Sequence, residues 1–212
     1  MATPNWRLLL SWPAHFGDAR TQWSAEIRAT KCISIAELFW KSGGLIQEPT
    51  IPTQSPRVLV RGASAEDISG ILECLSAAFE PYREAYTPGA FFDTILTHET
   101  LRERLDHIQV FAVLSPDGQV VGTIGCNLIS PKEGHIRGMA VLPALQGNGL
   151  ATQLLDHAQS ELRRAGCARI TLDTTEPLRR AIRFYEKHGF RRSGKITDFF
   201  GMALIEYEKP CT

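Results

Sequence analysis

The chain has 212 residues, a size suited to one domain with an appendage, and is 43% hydrophobic and 22% charged with a formal net charge of zero. That balance gives no global attraction to nucleic acid, and no apolar run reaches the roughly 20 residues of a membrane-spanning helix. The five cysteines, Cys32, Cys74, Cys126, Cys167 and Cys211, include no C-x-x-C pair, so neither a zinc framework nor a disulfide scaffold is expected, and a reducing cytoplasmic setting is.

Residues 1–56 differ from the rest. Leu8-Leu9-Leu10 is too short for a signal-peptide core. Trp6, Trp12 and Trp23 share no spacing, and Ile33 to Trp40 could form a short helix. Gly43-Gly44, Pro49, Pro52 and Pro56 then punctuate a linker over 45–56. The segment before it is a weakly ordered arm, a packed accessory element or an overlong start, and its irregularity favours the first. A domain over 57–208 is expected to follow.

Val58-Leu59-Val60 begins it as a strand. Ser64, with Asp67 three residues on, opens a helix bearing Ile68, Ile71, Leu72, Leu75 and Phe79 on one face, which should stop at Pro81. Residues 82–106 are helical in patches. Val110–Leu114 is a strand, Ser115-Pro116-Asp117-Gly118 a type I turn, and Gln119–Ile129 the returning strand. A third strand covers 134–142. A helix over 148–165 ends at Gly166, a strand follows at 169–173, and Pro177–His188 is a helix stopped by Gly189. Arg191–Ile196 and Phe199–Glu208 close as a hairpin. The order β-α-α-β-β-β-α-β-α-β-β needs parallel and antiparallel neighbours, hence an α/β class of the α+β kind: a central mixed sheet flanked by helices.

Between the third strand and its helix lies Gln146-Gly147-Asn148-Gly149-Leu150-Ala151. The first N–H groups of a helix lack internal partners, and glycines let an anion approach the backbone closely. The bland alternative is that the glycines only permit a tight turn. A second cluster, Arg179, Arg180, Arg183, Lys187, Arg191, Arg192 and Lys195, is opposed only by Glu186 over 177–195. It is either a solvated helix face or an attractor of phosphates.

Together, Met139-Ala140-Val141, Pro143, Gln146-x-x-Gly149-x-Ala151 and the later run Arg180-Ala181-Ile182-Arg183-Phe184-Tyr185-Glu186-Lys187-His188-Gly189-Phe190 resemble the two signatures of the GNAT superfamily of acetyl-CoA-dependent N-acetyltransferases. The resemblance covers roughly 57–208. It implies the acyl-CoA N-acyltransferase fold and an acyltransferase with acetyl-CoA as co-substrate and no metal. It further implies that Gln146, Gly147, Asn148, Gly149, Leu150, Ala151 and Thr152 offer backbone amides to the coenzyme A pyrophosphate. Met139, Ala140 and Val141, on a bulged strand splayed from its neighbour, would bind the pantetheine arm and the thioester carbonyl. Tyr185 would stand by the sulfur as catalytic hydrogen-bond donor. A thiol titrates near ~8.5 and a tyrosine near ~10, so its proton moves late. Helical neighbours point about 100° apart, which favours Phe184 in the core and Tyr185 at the site. The family often has an asparagine seven residues before this tyrosine. Leu178 stands there, so backbone, Glu176 or Thr175 must compensate.

The implied reaction is direct acetyl transfer to a primary amine in a ternary complex. The alternative is a non-catalytic acyl-CoA-binding sensor or interaction domain on the same fold. A lysine-type amine near pKa ~10.4 is neutral in only about one molecule in 2,500 at pH 7, so a base is needed. Glu133, His135, Glu80 and Glu84 are candidates, with His135, Arg137 and Met139 alternating onto one strand face. The acceptor is a small-molecule or peptide amine of open identity, with no nucleic-acid or membrane partner expected. Homodimers are common in the family.

Overall fold

A computed structural model describes residues 59–211, so the expectations for the N-terminal arm and linker lie outside the described residues. Seven strands form one sheet: β1 (Leu59–Gly62), β2 (Gln109–Leu114), β3 (Val120–Ser130), β4 (Glu133–Val141), β5 (Arg169–Thr175), β6 (Arg191–Phe199) and β7 (Met202–Pro210). Their spatial order is β1-β2-β3-β4-β5-β7-β6. Only β4 and β5 pair in parallel. Parallel neighbours need a crossover, and α4 (Leu150–Arg164) provides it. The remaining helices are α1 (Ile68–Phe79), α2 (Pro88–Ile95), α3 (His98–His107) and α5 (Arg179–Lys187). This is the mixed sheet flanked by helices that the element order requires.

The sheet is apolar on both faces because its strands alternate between two cores. In β2, Phe111 and Val113 belong to the core that also holds Leu154, Leu155 and Leu162 of α4, Tyr185 of α5 and Phe190 after it. Val110 and Ala112 face the other way, onto Ile68, Ile71 and Leu75 of α1 and Leu101 of α3. The period of two in the strand and of about 3.6 in the helices makes this layering. Each fully buried leucine contributes about 1.5–3 kcal/mol to it.

The structure moves several boundaries. Asp67 accepts from the Ser64 amide at 2.7 Å, but residues 65–67 form a 3-10 turn before α1 begins. Pro81 does not stop the chain's turning: a 3-10 segment continues from Glu80 to Ala85 with the proline near its start, where a missing N–H costs nothing. The helix predicted from Pro177 begins at Arg179, and β6 runs on to Phe199. The turn after β2 closes as expected, with Gly118 N–H donating to Ser115 O at 2.9 Å. Among the described residues no helix is long and apolar enough to cross a membrane.

Candidate active site

Strand β4 carries an irregularity that opens the sheet. Opposite β3, Thr123 faces Ala140 and Gly125 faces Arg137, so three steps on β4 match two on β3. The extra residue is a bulge at Gly138, whose φ of 60° lies in the left-handed region that favours glycine. On its other side β4 pairs with β5 only from Glu133–Arg169 to Ile136–Leu172. Beyond that point β4 continues to Val141 and β5 to Thr175 without pairing to each other. A cleft of about 620 Å³ occupies the gap.

The glycine turn forms one end of the cleft. Gly147 and Gly149 have φ of 90° and 82°, and no heavy atom lies within 4 Å of where their Cβ atoms would be. Gly149 is the N-cap of α4, which has no side-chain cap and no acid in its first turn. Its leading amides are therefore left for an external acceptor. Gln146 ties the turn to β4 by donating from Nε2 to Val141 O at 3.1 Å. Thr152 meets His188 Nε2 at 3.3 Å while His188 Nδ1 meets Phe184 O at 2.8 Å. The carbonyl can only accept, so Nδ1 holds a proton. These contacts lock α4 to α5 across the cleft. Gln146, Gly147, Gly149, Ala151 and Thr152 line it; Leu150 is buried in the core, and Asn148 is exposed away from the lining.

Met139, Ala140 and Val141 line the middle of the cleft, and Tyr185 lies against them. The Tyr185 hydroxyl donates to Met139 Sδ at 3.6 Å. Burial holds its pKa well above the ordinary tyrosine value. The packing reverses one expectation: Tyr185 is the buried core member and Phe184 the partly buried one. Both line the cleft.

The wall facing β4 is built by β5 and by the segment before α2. Tyr86 Oη and Thr175 Oγ1 are 2.6 Å apart, joining the two. Thr175 is thereby engaged in this bond. The neighbouring Thr174 hydroxyl is buried with no hydrogen-bond partner among the described residues, and it lines the cleft. Leu178 is on the wall too.

Of the four base candidates only His135 lines the cleft. Its Nδ1 is 2.9 Å from Thr171 Oγ1 and its Nε2 is 3.6 Å from Asp173 Oδ2. Glu133 is turned to Arg169 at 3.6 Å, and Glu80 forms an exposed pair with Arg83 at 2.7 Å. The bulge also breaks the expected alternation of His135, Arg137 and Met139 by adding a residue between the last two. The basic cluster divides. Arg180 and Lys187 line the cleft, whereas Arg192 donates to Tyr207 Oη at 3.1 Å and Lys195 pairs with Glu206 at 2.9 Å. Asp93 and Arg104, which line the cleft, carried no sequence signal, since both resemble solvated helix positions. Burial and Arg137 lower the Arg104 pKa to about 10. Burial raises that of Asp93, opposed by Arg104 and Arg137. No described cysteine lines the cleft; Cys74 and Cys126 are buried thiols pushed up to about 12 by desolvation. Among the described residues no group of three His, Cys, Asp or Glu side chains is placed to hold a metal.

An open glycine turn on an uncapped helix, beside a bulged and splayed strand in a mixed sheet, defines an acyl-CoA N-acyltransferase fold. The family model described as acetyltransferase (GNAT) family matches residues 71–190, and the chain belongs to that family. It is 29% identical over 162 residues to an amino-acid acetyltransferase of Pseudomonas putida, covering 76% of this chain but 33% of that relative. The chain thus spans about a third of the length of that relative. Among solved structures it is similar to the PaiA N-acetyltransferase of Thermoplasma acidophilum in complex with coenzyme A. That match has a TM-score of 0.60 and 18% identity, over 70% of this chain and 97% of the other. The ribosomal-protein-S18-alanine N-acetyltransferase of Escherichia coli gives 0.59 and 18%, over 73% and 94%.

Proposed function

We propose that the protein is an N-acetyltransferase that moves an acetyl group from acetyl-CoA to a primary amine by direct attack in a ternary complex. The observation that carries this reading is the meeting of an uncapped anion-binding turn, the unpaired stretch of β4 and the buried Tyr185 hydroxyl in one cleft. The residues fit the co-substrate. The amides of 146–152 suit a diphosphate, and Arg180 and Lys187 add positive charge on the same wall. The orphaned Thr174 hydroxyl suits the amide-rich pantetheine arm and stands in for the hydrogen bond that Leu178 cannot make.

Bound acetyl-CoA supplies an activated acetyl thioester. Around it the chain has three tasks. Backbone amides at Met139–Val141 offer donors to the thioester carbonyl oxygen, where negative charge grows during attack. Tyr185 stays protonated because burial disfavours its anion, so its hydroxyl serves as donor to the departing sulfur. Met139 Sδ, which accepts from that hydroxyl, marks a place where a soft sulfur is tolerated. His135, held between Thr171 and Asp173, takes the proton of the attacking amine.

Calorimetry with acetyl-CoA followed by a thiol-release screen over a panel of amines tests the reading. Binding with acetyl-CoA-dependent thiol release on at least one amine is expected. Binding without turnover on any amine would favour a non-catalytic acyl-CoA-binding domain.

A further inference from the structure

Beside the β4 bulge, α3 and β4 bring two arginines, Arg104 and Arg137, to the wall of the same cleft. Arg104 Nη1 lies 3.2 Å from the position a Cβ would take on Gly138, the residue next to Arg137. Both arginines line the cleft, and so does Asp93. Among the described residues, none of these three side chains takes part in a hydrogen bond or an ion pair. Two like charges set side by side in a partly desolvated pocket repel each other, and one carboxylate more than 4 Å away compensates only part of that charge. Arginine pairs with planar forks are matched to oxyanions, which they bind through paired N–H donors.

We propose that Arg104 and Arg137 form an oxyanion subsite, so that the acceptor is an amine that also carries a carboxylate or a phosphonate. This rests on the acetyltransferase reading above. The subsite lies beside His135 and the β4 bulge, on the opposite side of Met139–Val141 from the phosphate turn. An amine anchored there by its oxyanion has its nitrogen directed toward the middle of the cleft. The two guanidiniums, only partly offset by Asp93, disfavour a cationic acceptor that brings no anion of its own.

The test uses the full chain and matched acceptors: the common α-amino acids, their carboxamides, and α-aminoalkylphosphonates. A carboxamide keeps the amine and side chain and loses only the charge. Its amine is also the less basic, so intrinsic reactivity at neutral pH favours the amide. We expect kcat/KM for the best oxyanion acceptor to exceed that of its uncharged partner by about 10- to 100-fold. Arg137→Gln and Arg104→Lys should each bring that ratio toward one. Preference for amino acids or for phosphonates identifies which oxyanion is used. Carboxamides or simple alkylamines turned over as well as the acids would overturn the subsite and leave the acetyltransferase reading standing. A second measurement needs no turnover: calorimetric titration of N-acetylated amino acids and their carboxamides into the protein with coenzyme A. Preference for the acids without catalysis would keep the subsite and sink the acetyltransferase reading. Equal binding of both would overturn the subsite.

Discussion

The Tyr185 hydroxyl reaches the Met139 thioether across 3.6 Å, from α5 to the bulged part of β4. One partner comes from each of the two sequence signatures, so this single contact closes the cleft at its middle. It also places a protonated donor beside the part of β4 that no longer pairs with β5.

Tyr185→Phe removes only the hydroxyl, and the lost O–H···S contact is weak, so the fold should tolerate it. Turnover should fall well beyond tenfold while the calorimetric affinity for acetyl-CoA stays within about twofold. Turnover equal to the parent protein's would remove the tyrosine from the mechanism.

Gly149→Ala places a side chain on a residue with φ of 82°, a strain of roughly 1–2 kcal/mol that is relieved by shifting the turn. Affinity for coenzyme A should drop about tenfold, and affinity for pantetheine, which lacks the diphosphate, should change little. Equal losses for the two compounds would show that the turn does not hold the diphosphate.

His135→Gln should lower kcat/KM by about a hundredfold. A variant with the parent kcat/KM would remove His135 from the role of base. Thermal melting alongside separates this from a packing effect.

Asp67 receives both Arg61 Nη atoms at 2.8 Å and the Ser64 amide at 2.7 Å. The Arg61 hydrogen bonds hold its carboxyl below the usual carboxylate range despite burial. A depressed folded pKa means that this stabilisation is present above the unfolded value of about 3.9 and is lost as pH falls through the folded one. Asp67→Asn should cost about 1–2 kcal/mol at pH 7 in urea unfolding. The cost should shrink as pH falls below the unfolded value and through the lower folded one. A cost independent of pH would mean that packing, and not the ion pair, is lost.

Much of the fold was legible because its signals are local. The alternation of Val110–Leu114, the spacing of Leu154, Leu155 and Leu162, and the glycines at 147, 149, 166 and 189 each express their structure within a few residues. The glycine turn and Tyr185 were legible for the same reason, being carried by short motifs. Where prediction slipped, a neighbour decided. The orientation of Phe184 and Tyr185 depended on how α5 lies on the sheet, which the helical angle alone does not set.

By itself, then, the sequence determined the element order, the mixed sheet and the glycine turn, since backbone preference and periodicity act over a few residues. Tertiary structure decided which charges matter. Glu133, Glu80 and His135 were equivalent candidates until folding turned two of them to arginines and one to the cleft. Arg104 and Arg137, thirty-three positions apart in the chain, line one cleft because folding brings Arg104 of α3 beside the bulge at Gly138. Electrostatic partners are chosen by distance in space, and distance in space is what a linear pattern does not contain.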